Sequence, residues 1–446
     1  MPVDKRILII GAGPAGLGAG LRLAELGYEN WFIYEKEDRV GGLSASFTDD
    51  RDFVWDLGGH VLFSGIPAFN ALFEEVMEGE YLEHQREAWV RYGSRWVPYP
   101  FQNNIRRLPP RDLARCFSGL VRARIGSGGQ AASDFRDWII KTFGKGIADC
   151  FMYPYNSKVW AYPLEDMSHE WISERVSVPS LKRIAKNIAF MTDDAGWGPN
   201  NIFRFPGKGG TGDIFERIAK RVGDKISLGR EISRIDTRRK MVKMAGGEED
   251  GYDVIVNTAP LDELALMLDG SPPGFRTAAG GLVSNTVTVV GIGLERPNTS
   301  TRCWIYSPDP SVPFYRVTNF SHYSPFNVPG GDVERYSSLM CEKACYKVTP
   351  DPDSVVEETI DGLRAVGLME RGDEPVSVYA KVLPKAYPVP SRDRDDRLAV
   401  IDKYLKENDI YSIGRFGAWR YEVGNMDHST MMGVDTADAL MADSSG

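Results

Sequence analysis

Two glycine clusters and one histidine carry the first chemical signals in this chain. GAGPAG at 11–16 spaces Gly11, Gly13 and Gly16 as a turn, with Ala15 inside it. Such a turn lets backbone amides and a helix N-terminus approach a diphosphate. Glu35 follows Gly11 by 24 residues, where a carboxylate can accept from a ribose hydroxyl. WDLGGHVLFS at 55–64 sets Gly58, Gly59 and His60 between alternating apolar residues. The chain has only five histidines, and this one stands where backbone freedom is greatest. A third glycine run, GKGGTGD at 207–213, either touches the same ligand or simply starts a helix.

These groups need a scaffold. KRILII (5–10) is a short β-branched run ended by glycine, which predicts a buried parallel strand. PAGLGAGLRLAEL (14–26) has its leucines on one helical face, and NWFIYE (30–35) predicts a second strand. Together they form one βαβ unit of a doubly wound α/β sheet, and that context makes the glycine turn a dinucleotide site. From about 100 to 192 helical segments dominate: RDLARCFSGLVRA, SDFRDWIIKTFG and VPSLKRIAKNIAF. Residues 211–222 predict another helix. Strands return near 226–236, at 253–260 and across 284–345, and helices follow at 353–366, 393–406 and after Asp427.

Composition narrows the function classes. With 446 residues and 42% hydrophobic content the chain can bury two or three domain cores. A net charge of −9, with no basic stripe, excludes a duplex nucleic-acid partner. No apolar run approaches the ~20 residues of a membrane span. The apolar N-terminal run leads straight into the glycine turn and has no signal-peptide layout. Cys116, Cys150, Cys303, Cys341 and Cys345 are few and scattered, as expected for reduced thiols in a cytoplasmic protein. None has the company a metal site requires, so no metal is expected.

Lys36, Arg39, Gly41, Gly42 and Leu43, in EKEDRVGGLSAS, resemble the second glycine pair of amine-oxidase-type flavoproteins, which favours FAD over NAD. Longer stretches narrow the resemblance: DLGGHVLFS (56–64), RWVPYPFQNN (95–104), YPYNSKVWAYP (153–163), WISERV (171–176), WGPNNIFRFPGKGGTGD (197–213), CWIY…PFYR (303–316) and GRFGAWRYEVGNMDHS (414–429). In this order they resemble the UDP-galactopyranose mutase family, in its eukaryotic type. The resemblance implies three parts. A discontinuous Rossmann-like FAD-binding domain spans 1–85, 205–275 and 408–446. A helical domain spans 100–200, and an antiparallel sheet domain spans 86–99 and 276–407.

It also implies an activity: interconversion of UDP-galactopyranose and UDP-galactofuranose on reduced FAD, through a flavin N5–sugar iminium adduct and with no net redox change. NADPH or NADH would be the reductant. Covalent catalysis by the cofactor fits the lack of a Ser–His–Asp or paired-carboxylate signature. Carried over to this chain, Gly58, Gly59 and His60 lie against the flavin. Arg175 and Arg316 grip the diphosphate, where a guanidinium fork suits phosphate oxygens. Tyr306, Tyr387 and Tyr421 hydrogen-bond the diphosphate, and Tyr323 lies near the nucleotide or sugar. Tyr99, Phe101 and Gln102 form a uracil platform. Phe63, Asn156, Trp160, Asn200 and Asn425 make further substrate contacts. Arg415, Gly424, Asn425, Met426 and Ser429 form a second flavin-contacting segment.

Gly196 departs from the fungal pattern, which has asparagine there. Gly196→Asn should therefore lower the dissociation constant for UDP, checked by titration of the purified protein. Two other readings share these motifs: the same mechanism on another nucleotide sugar, and a net-redox enzyme of the amine-oxidase type.

Overall fold

A computed structural model describes residues 5–126, 131–176, 178–194, 201–298 and 300–443. Gly196 and Asn200 lie outside these. Arg175 ends a short 3-10 helix, Glu170–Arg175, and its side chain is also outside the described set.

Ile7–Ile10 forms the middle of a five-stranded parallel sheet, flanked by Val254–Asn257 and Trp31–Tyr34, with Ile410–Ser412 and Ile226–Ser227 at the edges. All four residues of the central strand are buried, because helices cover both faces. On one face the helix Pro14–Glu25 packs against the helix Met426–Asp443. Glycine decides how closely they cross. A Cβ on Gly18 would run into Thr430 O, and one on Gly433 into Ala15 O.

The second sheet has seven strands, in the order Pro375–Pro388, Ser284–Leu294, Ser337–Cys345, Arg316–Asn319, Trp304–Tyr306, Ala88–Tyr92, Arg95–Pro98. It is antiparallel except where Trp304–Tyr306 runs parallel to Ala88–Tyr92. That single parallel pairing joins strands from distant parts of the chain, whose direction no hairpin constrains. One face carries the helix Pro352–Ala365 through Val355 and Leu363. Opposite Gly291 and Gly293, Trp55 and Phe53 fill the space that side chains would otherwise take. The hairpin leading into Gly58–His60 is thereby seated on the second sheet.

The helical layer contains Pro110–Gly126, Phe135–Ile147, a π turn at Ala148–Met152, Tyr153–Trp160 and Leu181–Ala189. One element leaves its expected unit. The helix Arg394–Lys406 buries Leu398, Ile401 and Leu405 in the cluster that holds Phe275 and Ile410. It therefore packs with the parallel sheet and not with the 276–407 sheet unit, because its apolar face matches the helix Pro273–Gly280.

Candidate active site

The first glycine turn forms a cradle. Gly11 has φ +99°, and a Cβ on Gly16 would collide with Gly11 O, so neither position admits a side chain without distortion. Glu35 Oε2 accepts from Ala12 N at 2.7 Å and Oε1 from Glu37 N at 2.9 Å. These bonds fix the carboxylate at the lip of the turn with lone pairs remaining, since an ionised carboxylate offers about four acceptor sites. The second glycine pair closes on the first: Gly41 N donates to Ala12 O at 2.8 Å, and a Cβ on Gly42 would lie 3.3 Å from Gly13 Cα. Two bare backbones face each other with no side chain between, a space suited to a diphosphate. Lys36 is exposed beside Glu263, and Arg39 pairs with Asp38 and lies over the Phe47 ring. Ala15 is buried in the first helix.

The Gly58–Gly59–His60 turn sits between this cradle and the second sheet. Gly58 has φ +139°, and His60 N donates to Gly58 O at 2.7 Å. Gly59 N donates to Glu342 Oε1 at 3.0 Å. Glu342 is buried on Ser337–Cys345, directly across from Arg316 in the register. The two meet as a fork: Arg316 Nε and Nη2 each donate to a Glu342 oxygen at 2.8 Å, and Tyr315 Oη donates to Oε2 at 2.5 Å. Burial opposes the carboxylate, yet Arg316, Tyr315 and Gly59 hold Glu342 below its ordinary range. In turn Glu342 holds Arg316 charged against burial. His60 is different. Burial, aided by nearby Arg415, lowers its pKa to about 4, so the imidazole is neutral at physiological pH.

A small cleft joins these groups, lined by Leu43, Gly58, His60, Glu342, Tyr387 and Arg415. Arg415 is held by the carbonyls of Gly424 (2.8 Å) and Ala386 (3.2 Å) and lies over the Tyr387 ring. Buried polar atoms nearly always have partners. His60 Nδ1, Trp304 Nε1 and Tyr323 Oη have none among the described residues. The orphaned His60 Nδ1, which lines the cleft, and the paired glycine cradle fit a flavin dinucleotide.

Aromatic rings form the outer wall in two groups. Tyr99 meets Tyr306 at 5.0 Å, Tyr306 meets Tyr155 at 5.5 Å, and Tyr155 stacks on Phe151 at 5.0 Å. Trp160 meets Tyr421 at 4.9 Å, and Tyr421 meets Tyr387 at 5.6 Å. Several expected ligand residues lie deeper. Phe101 is fully buried on Phe151 at 4.7 Å, with Gln102 buried beside it. Tyr323 is fully buried among Phe203, Phe205 and Trp304. Phe101 and Tyr323 are thus each packed among other rings. Asn156 donates to Met152 O at 2.7 Å along its own helix. Phe63 takes the Arg86 guanidinium over its ring at 5.3 Å. Gly424 and Asn425 precede the helix Met426–Asp443, where Met426 begins the first turn and Ser429 is buried. Asp427 lies in that first turn and accepts from Ser64 Oγ at 2.7 Å, which ties the helix to the loop after His60.

Asp56, two residues before Gly58, ties its own hairpin to the Thr211 loop. Its oxygens accept from Ser46 Oγ, from Thr211 N at 3.2 Å and from Thr211 Oγ1 at 2.9 Å. Burial raises its pKa to about 7 despite those donors. A carboxyl raised in the fold favours stability at low pH and loses it as pH rises through about 7. His60, depressed in the fold, has the opposite sign, its contribution being lost as pH falls from 6.5 toward about 4. The two trends oppose each other across the same window. Asp56→Asn should unmask the His60 trend, so that stability rises with pH from 4 to 6.5; urea melts at several pH values check this.

Glu342, Tyr315 and Asp56 are absent from the sequence-derived site. The signal for Glu342 was a lone acid inside the apolar run SSLMCEKA, which only cross-strand pairing converts into a site residue.

Comparison with known proteins agrees with this geometry. The flavin-containing amine oxidoreductase family model matches residues 14–441. The crystal structure of a reduced UDP-galactopyranose mutase superposes with a TM-score of 0.94 at 43% identity, over 98% of this chain and 94% of that one. A probable UDP-galactopyranose mutase of Klebsiella pneumoniae is 23% identical over 98% of this chain and 95% of its own length. A putative protoporphyrinogen oxidase from Exiguobacterium sp. 255-15 shares the fold alone, with a TM-score of 0.75 at 13% identity over 98% of this chain and 99% of that one. The chain belongs to the flavin-containing amine oxidoreductase family and, within it, to the FAD-dependent UDP-galactopyranose mutases.

Proposed function

We propose that the protein interconverts UDP-galactopyranose and UDP-galactofuranose without net redox change. The observation that carries this reading is the Arg316–Glu342 fork beside the Gly58–His60 turn. Glu342 uses Arg316 Nε and Nη2, and Nη1 has no protein partner among the described residues. That leaves an oriented guanidinium donor beside the Gly58–His60 turn, which suits a diphosphate oxygen; a redox enzyme acting on an amine has no use for it.

Reduced FAD, when bound, supplies the nucleophile at N5, following the covalent route expected from the resemblance. The chain's own residues do the rest. Gly58 and Gly59 give a backbone free to present a carbonyl or an amide to the ring edge. A neutral His60 packs beside that turn without adding a charge. Arg316, with Arg175 as its expected partner, takes the diphosphate in both the attached and departed states, so the leaving group is retained. Tyr306, Tyr387 and Tyr421 lend hydroxyls to the same oxygens, and Tyr99 with Gln102 receives the base. The rings of the outer wall exclude water, which strengthens each of these contacts.

A cytoplasmic location, reduction by NADPH or NADH and the three-part domain division belong to the same proposal. Among the described residues, no helix is long and apolar enough to cross a membrane.

The test counts electrons. One reduction of the flavin should support many turnovers of nucleotide sugar, with no acceptor consumed. One turnover per reduction would instead identify a net-redox enzyme.

A further inference from the structure

The helix Tyr153–Trp160 ends against the second sheet, where its last carbonyls need donors. A helix cannot satisfy its final carbonyls from within. The Ala161 amide takes Ser157 O. Val159 O and Trp160 O lie beyond it, and one side chain serves both. Asn285 Nδ2 donates to Val159 O at 2.9 Å and to Trp160 O at 3.3 Å, from a strand about 125 residues further along the chain. The other end of the same amide is also used: Tyr387 N donates to Asn285 Oδ1 at 3.0 Å. Asn285 is fully buried.

An amide suits this place because it carries two N–H donors and an acceptor oxygen; a carboxylate has no donor and a hydroxyl only one. An aliphatic side chain would leave two carbonyls and an N–H unpaired in the interior. The position is irregular as well. The ladder between Ser284–Leu294 and Pro375–Pro388 shifts register between Asn285 and Val287, beside Tyr387. Such shifts re-aim side chains next to sites. Trp160 and Tyr387, whose backbones share the amide, are two corners of a ring triad. Trp160 meets Tyr387 at 6.3 Å, and both meet Tyr421, at 4.9 Å and 5.6 Å. Tyr387 lines the cleft beside Arg415.

We propose that Asn285 is a positioning residue, which ties the end of the helix Tyr153–Trp160 to the Tyr387 backbone and so places the Tyr387 hydroxyl for the diphosphate of the nucleotide sugar. Asn285 acts through Tyr387 and does not itself meet the ligand. With the tie gone, the helix end and the bulged strand can shift apart, and the triad no longer fixes where the hydroxyl points. A small displacement of a positioning group is enough to lose its contact. The part played by the diphosphate rests on the nucleotide-sugar reading, whereas the tie between helix and strand does not.

The experiment is a double-mutant cycle on FAD-loaded protein: wild type, Asn285→Ala, Tyr387→Phe and the double variant, each titrated with UDP and followed by hydrogen exchange. Asn285→Ala should weaken UDP binding about tenfold when Tyr387 is present. In the Tyr387→Phe background it should weaken binding less than about twofold, because no hydroxyl remains to be placed. Flavin content should be the same in all four. Equal weakening in both backgrounds, as a purely structural residue would give, or no weakening at all, would overturn the proposal. Asn285→Asp keeps the shape and the acceptor for Tyr387 N but gives up both bonds to the helix, and it supplies the same comparison if Asn285→Ala does not fold. Wild-type protein that does not bind UDP would count against the nucleotide reading alone. Hydrogen exchange at the Tyr387 amide would then still decide the tie: faster exchange in the Asn285 variants supports it, and unchanged exchange overturns it.

Discussion

Glu342→Ala should nearly abolish turnover and destabilise the fold. Glu342 is the common acceptor for Arg316, Tyr315 and Gly59 N. Removing one partner of a buried ion pair leaves the other charge uncompensated, which costs about 3–5 kcal/mol. The freed guanidinium would also lose the orientation that the fork gives it. Glu342→Gln keeps the shape and two acceptor contacts but removes the charge, so it should lie between wild type and alanine. The pair should be strongly non-additive: Glu342→Ala combined with Arg316→Ala should cost less than the sum of the single changes, because no buried charge is left alone. Urea unfolding and UDP titration on the four proteins measure this directly. Additive losses would remove the fork from the account of the site.

Gly59→Ala is the second large effect. A Cβ there would run into Thr318 Oγ1 and come within 3.3 Å of Trp304 Nε1. Both neighbours are buried on strands of the second sheet and cannot step aside. Overpacking of this kind costs about 1–3 kcal/mol, and most of the strain here would fall on the Gly58–His60 turn. Turnover should fall at least 100-fold while the protein still folds and retains UDP, since a small displacement of positioning groups has that cost. Thr318→Ala removes the colliding oxygen, so the double variant Gly59→Ala, Thr318→Ala should regain part of the activity. If the double variant is no better than Gly59→Ala alone, steric pressure is not the cause.

Much of this site could be read locally. The turns around Gly11, Gly41 and Gly58 are short-range structures, and their φ angles of +99°, +100° and +139° are the reason glycine stands there. The strand Ile7–Ile10 and the helix Pro14–Glu25 follow from hydrophobic period alone. What escaped reading depends on pairing between distant segments. Glu342 becomes a site residue only because Ser337–Cys345 pairs antiparallel with Arg316–Asn319 in one register; a shift by one residue would turn it to the other face. Asp56 gains its role from Thr211, 155 residues away. Phe101 and Tyr323 carry the motif pattern of ligand contacts, and their full burial among other rings depends on packing that the motif does not show. The helix Arg394–Lys406 lies next in sequence to a strand of the second sheet, but its leucines pack on the first layer.

The most direct measurement of the central claim is anaerobic. FAD-loaded protein is reduced with dithionite, given UDP-galactofuranose, and the nucleotide sugars are separated by ion-pair chromatography. The furanose is the better starting point, because the ring equilibrium favours the pyranose and product accumulates. UDP-galactopyranose formed by the reduced protein, and not by the oxidised protein, is the predicted result. Conversion that is equal in both redox states, or absent from a reduced protein that binds UDP, would contradict it.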